Sequence, residues 1–381
     1  MRRHPIFRRM QTLWRFVWPA QDERRYARML RSSPQFDPAF YIASNPRLRW
    51  LFRRAPERHY VLFGEALGLN PNPHFAPRAY LFHNPDLMAR GVRPLQHYIE
   101  IGKQEARQVL VSPDQRGYDG PPLPPIGATD APNPRAPVAV VVHLYYHEMW
   151  PEFATALRRQ HFDFDLYVTL TGTKTDCAPV RQEIEATFPR AKVWALPNHG
   201  RDILPFVHLI NAGLLTPYRA VCKLHSKKSP HLADGDAWRQ TLLAGVLGDP
   251  DQTQVRLQTF LDQTQLGIWT ADHQLYQGDI WWGPNQPRAE TLLDRIGQRN
   301  WGANLAFPAG SIYWIKPALL TQIQALKLTA QDFEPEQALV DGTTAHAMER
   351  VLGCLAIATG LGIRETHQLD AELAPRPETQ S

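Results

Sequence analysis

A chain of 381 residues with 43% hydrophobic and 21% charged residues has the composition of a soluble globular protein, and its length leaves room for one large core and a smaller appendage. No run of 18 apolar residues exists, which excludes a membrane-spanning helix. The three cysteines, Cys177, Cys222 and Cys354, are scattered and not at metal-ligand spacing, which argues against disulfides or a structural zinc and for a reducing compartment. The net charge of +5 belongs to one end, because residues 1–34 hold nine arginines against Asp22 and Glu23; with no nucleic-acid motif beside it, that excess gives no case for DNA or RNA binding.

Within residues 1–34, Phe7, Met10, Leu13, Trp14 and Val17 fall at spacings of three and four, with arginines on the opposite side of the projected helix. That pattern predicts an amphipathic segment lying on an anionic lipid surface, or else packing on the body of the protein or a partner. Arginines interrupt each apolar stretch before a signal-peptide core can form. Residues 35–111 contain a tandem repeat: FDPAFYIASNPRL from Phe36 and FAPRAYLFHNPDL from Phe75, each continuing to a second landmark, HYVLFGEALG from His59 and HYIEIGKQEAR from His97. Asn-Pro is expected to stop one helix and Gly to cap the next, so each copy predicts a small helical hairpin, and two stacked copies bury the Tyr and Leu faces that neither buries alone. His59 and His97 each sit beside a tyrosine with no further ligand at metal spacing, and are expected to pack. Residues 112–137 carry eight prolines in 26 positions, the composition of a semi-rigid linker.

From Val138 the chain alternates near-continuous apolar runs (VAVVVHLYY, DLYVTLTG, AKVWALPN, YRAVCKLH) with amphipathic helical stretches. This predicts, over residues 138–365, an α/β domain with a Rossmann-type, mostly parallel sheet and helices on both faces, preceded by the small all-α repeat domain and followed by a flexible tail at 366–381. Ligands of such sheets bind beyond the carboxyl ends of the strands. The residues expected to converge there on a diphosphate are His143, Asn198, Gly200, Arg201, Asp202, Lys223, His225, Lys227, Lys228, Ser229 and Arg239, with Lys174 nearby. Gly200 and Asp202 also read as the turn and N-cap of the following helix, whose backbone NH groups favour the same anion. No G-x-G-x-x-G, P-loop or G-x-S-x-G motif is present. Asp163 and Asp165 belong to the amino end of a strand, the wrong end for chemistry. Asp234 and Asp236 read as a helix cap, with divalent-metal ligation as the minority reading. No metal is expected, because fixed lysine and arginine charges stand where one is needed. FPAGSIYWIKPALL (307–320) alternates like a strand and ends in Lys316-Pro317 before a helix. Trp281, Trp282 and Trp301 read as sugar platforms or as core. In DGTTAHAMERVL, His346 and Glu349 share a helical face and Asp341 lies just upstream. This segment is the candidate for a proton acceptor, the alternative being a packed histidine and a surface ion pair.

Five stretches carry a resemblance: NHGRDILPF, YRAVCKLHSKKS, GDAWRQTLL, AGSIYWIKPALL and DGTTAHAMERVLG. In this order and spacing, from about Val138 to Gly362, the chain resembles the rhamnan synthesis protein F family of bacterial polysaccharide glycosyltransferases. The N-terminal repeats resemble the FDPxxYLxxNPD/HYxxxG repeats that accompany many bacterial glycosyltransferases. The resemblance implies a GT-A-like core that transfers a sugar, typically rhamnose from dTDP-rhamnose, to a lipid-linked surface glycan. It implies a peripheral location on the cytoplasmic face of the inner membrane, with the repeats available to other polysaccharide-assembly enzymes. In transferases of this type a Gly-then-aromatic strand lines the acceptor side, which the resemblance carries to Gly310 and Trp314, with Trp238, as acceptor-sugar candidates, and an Asp-x-Asp presents Mg²⁺ or Mn²⁺ at the strand end that HSKKS occupies here. That departure leaves a second reading open, a non-catalytic glycan-binding or assembly protein with a degenerate core.

Overall fold

The computed structural model describes residues 19–45, 48, 50–72, 74–77, 80, 81, 84, 87, 90–105, 107, 109, 118–126, 134–226, 235–299, 305–335 and 342–373. The amphipathic segment around Phe7 to Val17, together with Lys227, Lys228, Ser229, Asp234, Trp301 and Asp341, lies outside the described residues, as does the side chain of Asp236. The chain divides into two compact units, one of residues 1–114 with 282–287 and 338–342, the other of the remainder. Among the described residues no helix is long and apolar enough to cross a membrane.

In the first unit, α1 (Gln21–Ser32) precedes the two repeats. The opening F-D-P of the first has a local cause: Asp37 accepts hydrogen bonds from the backbone of Ala39 and Phe40, and Pro38 takes the first helical position of α2 (Pro38–Ala43). Each repeat then buries the same aromatic set. Phe36, Tyr41 and Tyr60 lie with centroids 5.4 to 5.6 Å apart, and Phe75, Tyr80 and Tyr98 repeat the arrangement at 5.2 to 5.7 Å. The Tyr41 hydroxyl meets His59 Nδ1 at 2.8 Å, and Tyr80 meets His97 Nδ1 at the same distance. Burial holds the His59 imidazole down to about 4, so the buried tyrosine bonds a neutral ring. Helix α3 (Pro56–His59) runs into a π-helical turn, Tyr60–Gly64, and α4 (Pro94–His97) into Tyr98–Gly102. Gly64 and Gly102 are therefore not the expected left-handed caps. They end π-turns, and a Cβ at either would overlap the hydroxyl of Tyr41 or Tyr80. Buried Glu65 joins three elements, accepting from the Tyr26 hydroxyl of α1 at 2.9 Å and from the Leu95 amide of α4 at 2.7 Å. Burial pushes its carboxyl pKa up.

The second unit is built on a seven-stranded sheet of order β3-β2-β1-β4-β8-β5-β9. Its strands are β1 (Val138–Leu144), β2 (Phe164–Thr171), β3 (Lys192–Leu196), β4 (Ala220–His225), β5 (Leu266–Thr270), β8 (Tyr313–Ile315) and β9 (Gly362–Glu365). The first four are parallel, as are β5 and β9, while β8 runs antiparallel between β4 and β5. The expected mostly parallel sheet with helices is thus present. Every residue of β1 is buried because both faces are covered. Val138, Val140 and Val142 pack with Trp150, Phe153 and Leu157 of α5 (Trp150–Arg158), Ile184 of α6 (Lys174–Thr187) and Val246 of α8 (Gly235–Leu247). Helix α7 (Ile203–Asn211) also meets β1.

Three expectations are corrected. The stretch 307–320 is two strands rather than one: β7 (Ala306–Pro308), which pairs with β6 (Leu275–Gln277), and β8, separated by a turn at Gly310 (φ 82°) and Ser311 (φ 55°). Residues 366–373, expected in a flexible tail, form a helix held by fully buried Leu369 and by an Arg256–Asp370 ion pair of 2.6 Å. The described part of the proline-rich segment is anchored to this unit. Tyr118 exchanges two backbone-to-amide hydrogen bonds with Gln331, at 3.0 and 2.6 Å, and stacks on His199 at 4.4 Å, while His208 Nε2 meets the Pro124 carbonyl at 2.9 Å.

The crowding at the repeat glycines yields a test. Gly64→Ala should destabilise the protein in chemical denaturation by about 2 kcal/mol through overpacking. Adding Tyr41→Phe, which removes the overlapping oxygen, should recover part of that loss.

Candidate functional site

The strand order reverses its direction of growth between β1 and β4, so the crevice between their carboxyl ends is where loops alone define the surface. Four segments meet along this edge: the ends of β1 and β4, the loop from β3 into α7, the turn before β8, and the first turns of α11 (Thr344–Ala358).

The loop into α7 is set by glycine. Gly200 (φ 63°) has Phe333 where a Cβ would sit, 2.9 Å away, so no larger residue fits. Arg201 follows with φ 57°, a left-handed conformation rare for a side-chain-bearing residue. Asn198 is exposed, and His199 is buried between the Tyr118 ring and the edge of Phe333. Asp202 occupies the N-cap position of α7 but makes no capping hydrogen bond. Its carboxylate instead accepts from Lys223 Nζ at 2.6 Å. The expected side-chain cap is therefore absent, because a buried ammonium competes more strongly for the oxygen.

Lys223 and His225 are two apart on β4 and so share one face of the sheet. Lys223 is 1% exposed, donates a second hydrogen bond to the Ser311 carbonyl at 3.0 Å, and lies over the Phe206 and Tyr313 rings. His225 Nε2 meets the Gly310 carbonyl at 2.7 Å and lies 4.0 Å from the Asp202 carboxylate. On β1, beside His225 in register, His143 is buried with its ring nitrogens 3.0 and 3.3 Å from the hydroxyls of Thr169 and Thr171. Desolvation by burial lowers its pKa to about 3, so its ring is neutral. Just beyond, the fully buried Ser226 hydroxyl accepts the amides of Tyr145 and Tyr146, tying the loop after β1 to the end of β4.

Helix α11 brings the opposite wall. Its first turn is capped by Thr343, and His346 Nδ1 lies 2.8 Å from the same hydroxyl. His346 Nε2 accepts from Arg201 Nη1 at 2.9 Å. One turn on, Glu349 accepts from the Ser311 hydroxyl at 3.2 Å and from Arg350 at 2.9 Å. His346 and Glu349 do share a helical face, while Arg201 bonds His346, and the residue after Arg201, Asp202, lies 4.0 Å from His225. Trp238 stands beside Gly310, where a Cβ would lie 3.0 Å from its indole, and donates to the Gln274 side chain at 3.1 Å.

This arrangement redistributes the expected roles. Asp202, Lys223 and His225 form a buried floor whose polar atoms meet one another and the Gly310–Ser311 turn, with His143 beside them bonded to Thr169 and Thr171. Lys223 cannot neutralise a ligand's charge while Asp202 matches its own. Arg239 is buried and pairs with Glu152 at 3.0 Å, away from a diphosphate role. Trp314 is corrected from sugar binding to core: it is fully buried between β4 and β5, stacks on Trp269 at 6.0 Å and donates to the Val246 carbonyl. Half-buried Arg201 and exposed Asn198 remain at the rim. Trp281 is 38% exposed against Tyr276, and Trp282 is buried. Ser226 and Ser311 escaped sequence reading because a lone serine carries no signal without its tertiary partner. A group that can hold a metal, Asp272, Glu365 and His367, lies beyond β5 and β9, where Asp272 already accepts from the His367 ring at 2.8 Å.

Comparison with known proteins falls on the same region. The family model described as rhamnan synthesis protein F matches residues 126–361. Two relatives, each described as uncharacterized protein WxcX and from two strains of Xanthomonas campestris pv. campestris, are 29% identical over 362 residues, covering 91% of this chain and 50% of their own. The chain thus spans half the length of these curated relatives. Among solved structures, the mannosyltransferase PcManGT of Pyrobaculum calidifontis, in complex with GDP-Man and Mn²⁺, is 13% identical, covers 68% of this chain and 58% of its own, and has a TM-score of 0.28; a likeness that slight has no bearing on the chemistry of this site.

His143 makes the floor pH-sensitive in a defined direction. Its folded pKa of about 3 lies below the ordinary 6.5, so below pH 6.5 the unfolded chain binds a proton that the folded chain refuses, and stability falls as pH drops toward 3. The loss from this residue should reach about 2 kcal/mol at pH 5. Denaturation of wild type and His143→Asn at pH 7 and pH 5 should show a smaller drop in the variant; equal drops would mean that the ring is not held neutral.

Proposed function

We propose that this chain, which belongs to the rhamnan synthesis protein F family, is a glycosyltransferase with a GT-A-like core that builds a bacterial surface polysaccharide. The observation that carries the reading is the meeting of Arg201, His346, Ser311 and Glu349, drawn from two loops and a helix onto one buried ionic floor beside the β1/β4 crevice. In this reading the donor is a nucleoside diphosphate sugar seated in that crevice. Arg201, presented by a left-handed turn and steadied by His346, faces its diphosphate, with Lys227, Lys228 and Ser229 expected beside it and Asn198 at the rim. The acceptor hydroxyl attacks the anomeric carbon, the bond from that carbon to the diphosphate oxygen breaks, and the nucleoside diphosphate leaves with the electron pair. The hydroxyl proton passes to Glu349. His346 is the weaker candidate for that step, since its Nε2 lone pair already accepts from Arg201. Trp238 and Gly310 flank the acceptor.

We further propose dTDP-rhamnose as donor, a lipid-linked glycan as acceptor, and fixed cations in place of a divalent metal. In the same proposal residues 1–34 rest on the cytoplasmic face of the inner membrane, and the repeats dock other assembly enzymes. One observation favours the second reading, a glycan-binding protein without turnover: the described acidic groups of the site are already paired, Asp202 with Lys223 and Glu349 with Arg350.

Incubation of the purified chain with dTDP-rhamnose and a panel of other nucleotide sugars, plus a lipid-linked acceptor, separates the two. Transfer insensitive to a chelator is expected. Glu349→Gln should lower kcat about 100- to 10,000-fold, and Arg201→Ala should lower kcat/KM about 10- to 100-fold, the worth of a charge-assisted hydrogen bond. Sugar binding without transfer would favour the second reading.

A further inference from the structure

Two turns at this site are left-handed through consecutive residues, Gly200–Arg201 (φ 63° and 57°) and Gly310–Ser311 (φ 82° and 55°). In each, glycine adopts the conformation at no steric cost and the next residue does not. One side chain is bound to both segments. Lys223 donates to Asp202, the residue after the first turn, at 2.6 Å, and to the carbonyl of Ser311 in the second at 3.0 Å. Beside it, His225 meets the Gly310 carbonyl at 2.7 Å. With its carbonyl fixed, Ser311 points its hydroxyl at Glu349, 3.2 Å away. Lysine is suited to this place because three donors radiate from one ammonium. The carboxylate matches its charge, while Phe206 and Tyr313 present ring faces to the rest of it.

We propose that Lys223 is a positioning residue: it clamps Asp202 to the Ser311 carbonyl and so holds the left-handed turn that aims the Ser311 hydroxyl at Glu349. It is not a ligand of the donor. The role assigned to Glu349 rests on the transferase reading; the clamp itself does not.

The test combines structure with kinetics on the full chain. The double variant Asp202→Asn/Lys223→Met removes both charges without stranding either in the interior. Its crystal structure should show Ser311 relaxed from positive φ and the Ser311–Glu349 hydrogen bond lost. Where the chain transfers sugar, kcat should fall about 10- to 100-fold, as for a displaced catalytic group, with the donor KM within about twofold of wild type. Ser311→Ala should reproduce the fall in kcat, and combining it with the double variant should add little, since both act through one contact. Should the double variant not fold, Asp202→Leu/Lys223→Leu, which likewise strands no charge and removes the donor to the Ser311 carbonyl, supplies the same structural reading. An unchanged Ser311 turn with its bond to Glu349 intact would overturn the clamp, as would a raised donor KM at unchanged kcat, the signature of a diphosphate ligand. The crystal structures decide the matter even if no nucleotide sugar is turned over, a result that would count against the transferase alone.

Discussion

A charge that cannot reach water must be answered where it stands. Lys223, 1% exposed in the fourth strand of the sheet, is answered by Asp202 at 2.6 Å, and much of the site's geometry follows from that requirement. Desolvating an ammonium and a carboxylate costs several kcal/mol each, and stranding either one alone in the interior costs about 3–5 kcal/mol. The pair is therefore held together, and whatever is bonded to it is held as well: the loop that carries Arg201 and the turn that carries Ser311. A hydrophobic pair would fill the same volume without fixing either segment, since it offers no donor to the Ser311 carbonyl.

The histidines around the pair extend the logic to neutral groups. His143 and His225 sit side by side in the β1–β4 ladder, one bonded to threonine hydroxyls and the other to the Gly310 carbonyl. The strand ends are thereby lined with groups that bond one another, so the floor is rigid before any ligand arrives. In the transferase reading, such preorganisation lets a rim cation act at low reorganisation cost. In the first unit a tyrosine–histidine hydrogen bond plays the comparable part twice over, and a glycine is required wherever the tyrosine oxygen ends.

How much of this was legible in the sequence depends on the range of the interaction. The α/β alternation was readable because β1, β2 and β4 are continuous apolar runs, and the repeats because Phe36 and Phe75 open matching strings. That the ends of β1, β3 and β4 share one edge followed from the rules of parallel sheets, whereas the approach of His346 and Glu349 to that edge did not. What could not be read was pairing. A lysine at the end of an apolar strand beside two more lysines looks like part of a cationic rim, and nothing local shows that its partners lie 21 residues before it and 88 after it. Trp314 was misplaced for the same reason: a three-residue strand has too short a pattern to reveal which way it runs or that both its faces are covered. The helix at 366–373 was missed because, among its described residues, Leu369 is the one buried apolar side chain, which leaves little periodicity to detect.

The left-handed turns join the buried ion pair to the helix that faces it. A non-glycine residue at positive φ costs of order 1–3 kcal/mol and persists only where its surroundings over-determine it. Arg201 and Ser311 are both in that state, and each is over-determined from two sides: Arg201 by the glycine before it and by its hydrogen bond to His346, Ser311 by the glycine before it and by Lys223. Both side chains end against α11, one turn apart, at His346 and Glu349. Right-handed or extended backbone at either position would send the side chain elsewhere. Backbone strain and buried charge are thus two parts of one construction: the ion pair is bonded to both turn segments, and the turns set two side chains from distant segments against a single helix.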